Sequence, residues 1–455
     1  MIIITCHNDN IPERTYAIDI LFQTLLEISK DDYKIVFDDT TESYIVQIDN
    51  RQIIIEDHFF IHFPEPLSYL DKINIPTDLL FFHALDKVIP IIYGEDKFVK
   101  DENTIIIGLD VFASIFFMLA RWEESLLGRE EKGDCDEALL FSVRHNIYMR
   151  PIVHEYEELL RLLLSDCGIH LKERKYKVVM SHDVDGFLPP SYGDIAKSIL
   201  REFRYGPPKN KILNLTWKEK VKYKKAFPKP FCQFTMYTEL CKKYNITEWF
   251  YFKVCKSGEK ECTYNYDAKE TREIVKCLKE KNEPKMVLGY HPSQSTLRNE
   301  GQWEKECERI NTILGNVPEI GRNHHLLYNY EMFRMWEKVA ENTLGGSLEI
   351  SNCVFHNKLG FRSGIAFPYF LFDIYKRRQL NLREHPCQIM DTVIRYHRKE
   401  KTVEDIWKEI TPVVESAKRY GCELVLTWHI YIRNKKLILD YYKWCEKVVQ
   451  YAKQQ

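Results

Sequence analysis

The chain has 455 residues, 45% of them hydrophobic, which suffices for two or three domains with real cores and excludes a disordered or fibrous protein. Its 65 lysines and arginines face 67 aspartates and glutamates, so the formal charge of -2 gives no global field toward nucleic acid or an anionic membrane. No window approaches the roughly 20 apolar residues of a spanning helix, and the start MIIITCHNDN lacks the order of a signal peptide, so a soluble, cytoplasmic chain is expected.

From Met1 onward, short apolar runs at Ile2 to Thr5, Tyr44 to Ile48 and Ile53 to Ile55 read as strands. Asp110 is an N-cap candidate for a buried helix carrying Phe112, Ile115, Phe116 and Leu119 on one face. A second helix is expected near Val153 to Leu164. A polar elbow at Ser165 to Arg174 comes after it and sets the expected boundary between a smaller mixed α/β domain, 1–170, and a second domain, 171–455. The thirteen cysteines form no C-x-x-C pair, which points to reduced thiols rather than a disulfide framework or a zinc ribbon.

The second domain opens with a strand, Tyr176 to Met180, running into Ser181-His-Asp-Val-Asp-Gly186. Further apolar runs at Trp249 to Val254, Met286 to Gly289, Leu348 to Ile350 and Leu424 to Trp428 alternate with helical periodicity at Lys269 to Lys281 and Tyr330 to Asn342. That alternation predicts a parallel sheet or barrel, in which polar groups at the carboxyl ends of strands converge on one mouth. Between them, Arg201 to Lys229 carries ten basic residues against two glutamates and reads as a basic insertion, either a solvated excursion or a surface for an anionic sugar, a lipid-linked phosphate or a partner.

Four strand ends carry candidate chemistry. Asp183 and Asp185 can divide the roles of metal ligand and proton acceptor, or merely cap the segment after Gly186. His291 leaves the next strand where a ligand would be needed, with Ser295 four residues on, the spacing of one helical face. Gly321 is succeeded by Arg322, His324 and His325. His429, next to Trp428, is placed to act as a general acid toward a leaving amine.

These stretches together resemble the metal-dependent polysaccharide deacetylases. Ser181-His-Asp-Val-Asp-Gly186 is similar to their first motif in a bacterial subgroup associated with surface-polysaccharide synthesis, His291-Pro-Ser-Gln-Ser295 to the second, and Leu426-Thr-Trp-His429 to the last. Arg322-Asn-His324, Gly360-Phe-Arg-Ser-Gly364 with Pro368, and Glu384-His-Pro386 with Met390-Asp391 extend the likeness over about residues 175 to 432. The amino-terminal region resembles an uncharacterised domain that often precedes this subgroup.

The resemblance implies an irregular (β/α) barrel of about seven strands that hydrolyses an acetyl group, N-acetyl ahead of O-acetyl, on a carbohydrate that is anionic or lipid-linked in some cases. It implies zinc, with cobalt or nickel as alternatives, held by Asp185, His291 and Ser295, the third ligand being open to Asp183, His324 or water. Asp183 is then the base, His429 the acid and Arg322 the residue that orients the base. Arg362, His324 and Trp428 are expected on the substrate side, with Asp391 and Glu384 supporting His429 or an arginine. The expected partners include no nucleic acid. The rival expectation is a catalytically weak carbohydrate-binding or scaffold protein with a degenerate metal site.

Overall fold

The computed structural model describes the chain except residues 209–214, 257, 258, 260, 281–285, 342–347, 398–400, 432–434 and 455, and the side chain of 340. The amino-terminal part holds eight strands: β1 (Ile2–Cys6), β2 (Tyr33–Phe37), β3 (Ser43–Ile48), β4 (Arg51–Glu56), β5 (Leu80–Ala84), β6 (Lys87–Ile91), β7 (Gly94–Lys100) and β8 (Thr104–Leu109). Six form one mixed sheet in the order β2-β1-β3-β4-β8-β7, while β5 and β6 pair as a hairpin. The alternating burial of β3 reflects its period-two pattern of apolar residues. The helix Val111–Ala120 is buried at every residue, and the Asp110 carboxylate accepts from the Ala113 N–H at 3.0 Å, as its cap position predicts.

Nine further strands complete the chain: β9 (Lys177–Val184), β10 (Thr247–Phe252), β11 (Met286–Tyr290), β12 (Ile320–Gly321), β13 (Leu348–Ile350), β14 (Tyr369–Asp373), β15 (Arg378–Glu384), β16 (Ile389–Met390) and β17 (Glu423–Thr427). They form one sheet in the order β14-β15-β13-β12-β11-β10-β9-β17-β16, in which every neighbouring pair is parallel except β14 with β15. The architecture is therefore mixed α/β. The expected seven-stranded barrel is instead a nine-stranded sheet with eight parallel members, its edges at β14 and β16 among the described residues. Five of the nine, β9, β10, β11, β13 and β17, are the apolar runs read in the sequence; the other four are β14, β15 and the two-residue β12 and β16, the last two too short to register as apolar runs.

The two parts share one apolar core: Tyr16 packs on Phe372 with ring centroids 4.9 Å apart, and its hydroxyl donates to the Phe370 carbonyl at 2.8 Å. The described residues of the basic interval are largely helical. The interval spans much of a helical lobe, Tyr192–Tyr205 and Trp217–Ala226, each helix opened by a reciprocal capping box, Ser191 with Asp194 and Thr216 with Glu219. No helix among the described residues is long and apolar enough to cross a membrane, and all thirteen cysteines are free thiols.

Candidate metal and acid–base centre

Strand β9 lies in the middle of the parallel run and is buried along seven of its eight residues, so Val178, Val179 and Met180 serve as core while the polar residues at its carboxyl end must find partners inside the protein. The period of two sends Ser181 and Asp183 to one face and His182 to the other. His182 is closed off: Nδ1 donates to the Trp428 carbonyl at 2.7 Å and Nε2 lies 3.1 Å from Glu248. Glu248 and Cys241 complete a buried donor group around it, but both imidazole nitrogens are already engaged.

Asp183 faces Arg322, which leaves the end of β12. The guanidinium is fully buried and satisfied: Nη1 donates to Asp183 Oδ1 at 2.9 Å, Ser181 Oγ at 3.1 Å and Thr427 Oγ1 at 2.9 Å, Nε to the Ser351 carbonyl at 2.6 Å, and Nη2 to Ser351 Oγ at 2.7 Å. It also lies over the Tyr251 ring at 4.9 Å. Burial by itself would raise the Asp183 carboxyl, yet Arg322, His291 and His429 hold it below the ordinary carboxylate value.

Three imidazoles surround this carboxylate and Asp185. At the end of β11, His291 Nδ1 is 2.6 Å from the Arg322 carbonyl, which can only accept, so Nδ1 carries the proton and Nε2 presents its lone pair. That Nε2 is 3.8 Å from Asp183 Oδ2 and 3.9 Å from Asp185 Oδ1, and both it and Asp185 Oδ1 are buried without a hydrogen-bond partner among the described residues. Burial pushes the His291 pKa down to about 3, keeping the ring neutral. His324 is anchored through Nδ1 to Glu261 at 2.8 Å and brings Nε2 to 3.5 Å from Asp185 Oδ1. His429, after β17, is anchored through Nδ1 to Asp391 at 2.6 Å and brings Nε2 to 3.6 Å from Asp183 Oδ2. Burial opposes charge on His429, but Asp391, its hydrogen bond, and the two aspartates push the pKa up to about 9.

The ligand atoms of Asp185, His291 and His324 all lie within 4.8 Å of one another. Ligands about 2.0–2.2 Å from a tetrahedral zinc sit roughly 3.4 Å apart, close to the 3.5 Å and 3.9 Å observed between these atoms and too long for direct hydrogen bonds. One carboxylate and two imidazoles, each imidazole oriented through Nδ1 by an acceptor behind it, make a donor set that fits zinc or a similar ion. Nearby, Lys253 Nζ is 3.0 Å from Asp185 Oδ1, outside hydrogen-bond alignment, and together with His429 and His324 it holds Asp185 far below its usual value despite burial.

Four of the sequence candidates, Asp183, Asp185, His291 and His429, thus meet, and Arg322 lies beside them. Three do not. Ser295 is exposed and bonded to Ser293 Oγ at 2.6 Å, because residues 294–296 form a 3-10 turn after Pro292 rather than an α-helical turn, so the spacing of four does not align it with His291. Arg362 is buried against Glu124 and Glu137 of the amino-terminal part, with Nη1 on Glu137 at 2.8 Å. Trp428 is fully buried, its Nε1 donating to the Tyr441 carbonyl at 3.0 Å. His324, expected on the substrate side and also left open as the third ligand, belongs to the candidate ligand set. Asp391 supports His429 as expected, whereas Glu384 accepts the Asn352 and Cys353 N–H groups at 2.8 and 2.9 Å and is pushed up to about 7 by burial. Lys253 and Glu261 had not been singled out.

A cavity of about 1020 Å³ opens from Asp185, His324 and Lys253 and reaches Arg201, Lys220 and Lys224 of the helical lobe.

Residues 2–168 match a family of unknown function, DUF7033. No curated protein matches the chain. Among solved structures, the chain is similar to a provisionally assigned polysaccharide deacetylase involved in O-antigen biosynthesis from Bordetella bronchiseptica, with 9% identity, a TM-score of 0.29, and coverage of 61% of this chain and 85% of that one. It is also similar to a provisionally assigned polysaccharide deacetylase from Mycobacterium smegmatis, with 15% identity, a TM-score of 0.35 and the same coverage.

Proposed function

We propose that this centre is a metal-dependent hydrolase site that removes an acetyl group, N-acetyl ahead of O-acetyl, from a carbohydrate in bacterial surface-polysaccharide metabolism. The observation that carries the reading is the set of three imidazoles, each anchored through Nδ1 and each turning Nε2 toward the Asp183–Asp185 pair. Asp185, His291 and His324 would hold the ion, with zinc favoured by the donors and cobalt or nickel as alternatives. When bound, the ion supplies polarisation of the acetyl carbonyl and acidification of an attacking water.

The protein's own groups divide the proton work. Asp183, kept ionised by Arg322, accepts the proton of the attacking water at Oδ2. His429, its pKa raised to about 9, holds a proton at neutral pH and delivers it from Nε2 to the departing nitrogen, while Asp391 fixes the ring. A depressed carboxyl beside a raised imidazole is the separation that acid–base hydrolysis requires. The neighbouring Arg201, Lys220 and Lys224 support an anionic substrate. Acetate release from a panel of acetylated sugars, measured with added zinc and with a chelator, tests the reading: zinc-dependent release supports it, and no release from any acetylated sugar counts against it.

One observation favours the rival reading, a carbohydrate-binding protein with a degenerate site. The Lys253 ammonium already neutralises Asp185 with no ion required. In that case Lys253→Met gains zinc affinity while wild type binds none; in the hydrolase, wild type binds zinc outright.

A further inference from the structure

We propose that the lobe formed by the helices Tyr192–Tyr205 and Trp217–Ala226 docks on an anionic membrane surface. This docking is independent of the reaction proposed for the candidate centre. Helix Tyr192–Tyr205 places Tyr192, Ala196, Ile199, Leu200 and Phe203 at i, i+4, i+7, i+8 and i+11, one continuous stripe. In a globular protein such a stripe faces the core. Here it faces solvent: Tyr192 is 79% exposed, Leu200 72% and Phe203 94%, whereas the packed side of the helix offers only Ile195 and Ser198 as buried residues.

The charges beside the stripe select the occupant. Lys197 and Arg204 flank it on the helix, and Lys218, Lys222 and Lys225 are exposed on the next one. None of these five forms an ion pair among the described residues. The lobe's acids are committed elsewhere: Asp194 and Glu219 close the capping boxes, and the Glu202 carboxylate accepts the Trp217 N–H at 2.6 Å. An exposed apolar stripe bordered by exposed lysine and arginine in excess of the nearby acids is the pattern of a helix lying in a membrane interface, where the apolar face enters the acyl boundary and the cations meet anionic headgroups. A soluble acidic protein would meet the cations but leave Leu200 and Phe203 without a hydrocarbon environment. Because Arg201 of this helix also lines the cavity of the candidate site, docking would bring that cavity close to a lipid-anchored substrate.

The test is co-sedimentation of the full chain with phosphatidylcholine vesicles, alone or containing about a third phosphatidylglycerol. The proposal expects binding to the anionic vesicles only, weakened by added salt. Binding should fall about tenfold or more in Leu200→Glu/Phe203→Glu and in Lys218→Glu/Lys222→Glu, with unchanged melting temperatures because these positions are exposed. Absence of binding to anionic vesicles, or binding that survives both double variants, overturns it. So does a dimer in solution that Phe203→Glu abolishes, which would assign the stripe to a second copy of the chain.

Discussion

The backbone carbonyl of Arg322 accepts the Nδ1 hydrogen of His291 at 2.6 Å, while the side chain of the same arginine donates to Asp183 at 2.9 Å. One residue at the end of β12 thus fixes the tautomer of a candidate ligand and the charge of the candidate base. Such support behind the reacting groups is what holds a site in working geometry.

Replacement of the two proton-handling groups should separate chemistry from binding. Asp183→Asn and His429→Gln should each lower kcat by about 10²- to 10⁴-fold with little change in KM and full metal content. Steady-state kinetics beside metal analysis checks this; a His429→Gln enzyme with wild-type kcat would remove His429 from the acid role.

Arg322→Ala leaves the buried Asp183 carboxylate without its counter-charge, and should destabilise the fold by about 3–5 kcal/mol. Arg322→Lys retains charge but not the planar fork that reaches Asp183, Ser181, Thr427 and Ser351, so it should recover only part of that loss. Denaturant titrations give both values; a cost below about 1 kcal/mol for the alanine would contradict the pairing.

A pH effect on stability should arise away from the centre, at His385. Its ring is buried between Glu423, to which it is hydrogen-bonded, and Glu349 at 3.2 Å, and although burial opposes charge these carboxylates push its pKa from 6.5 up to about 9. A histidine whose pKa is higher folded than unfolded contributes its stability fully below the unfolded value, here 6.5, and loses it as pH rises through about 9. The gap in melting temperature between wild type and His385→Gln should therefore narrow as pH climbs across that window. A constant gap would mean that the ring does not titrate there.

Gly321→Ala should disturb the centre through packing, since a Cβ there would come 2.1 Å from the Trp336 ring. A cost of about 1–3 kcal/mol is expected, with weakened activity because Arg322 is the next residue. An alanine variant as stable as wild type would show that Trp336 yields freely.

The parts of the site legible in the sequence were those at the ends of strands with strong apolar runs. Val178 to Met180 and Leu424 to Leu426 announce buried parallel strands, so Asp183 and His429 could be placed at one mouth. His291 is placed by the same reasoning, whereas Arg322 follows the two-residue β12, which gives no apolar run, and stands out only through the Arg322-Asn-His324 stretch. Ser295 was misplaced because a spacing of four was read as an α-helical turn in a stretch where Pro292 and a 3-10 turn intervene. Glu261 gave no signal, for it lies between β10 and the helix Lys269–Glu280, where no sequence periodicity sets its direction. Arg362 and Trp428 show the converse: position beside a motif does not decide whether a large side chain turns into a cavity or into the core. The exposed stripe of Tyr192–Tyr205 was hidden because its period is that of an ordinary buried helix.

The most direct measurement is the metal content of the purified chain and of four single variants after equilibration with zinc. The account predicts close to one ion per wild-type chain, its loss in Asp185→Ala, His291→Ala and His324→Ala, and its retention in Ser295→Ala. A wild-type chain that takes up no zinc, cobalt or nickel, or a His324→Ala chain that binds zinc as wild type does, would contradict it.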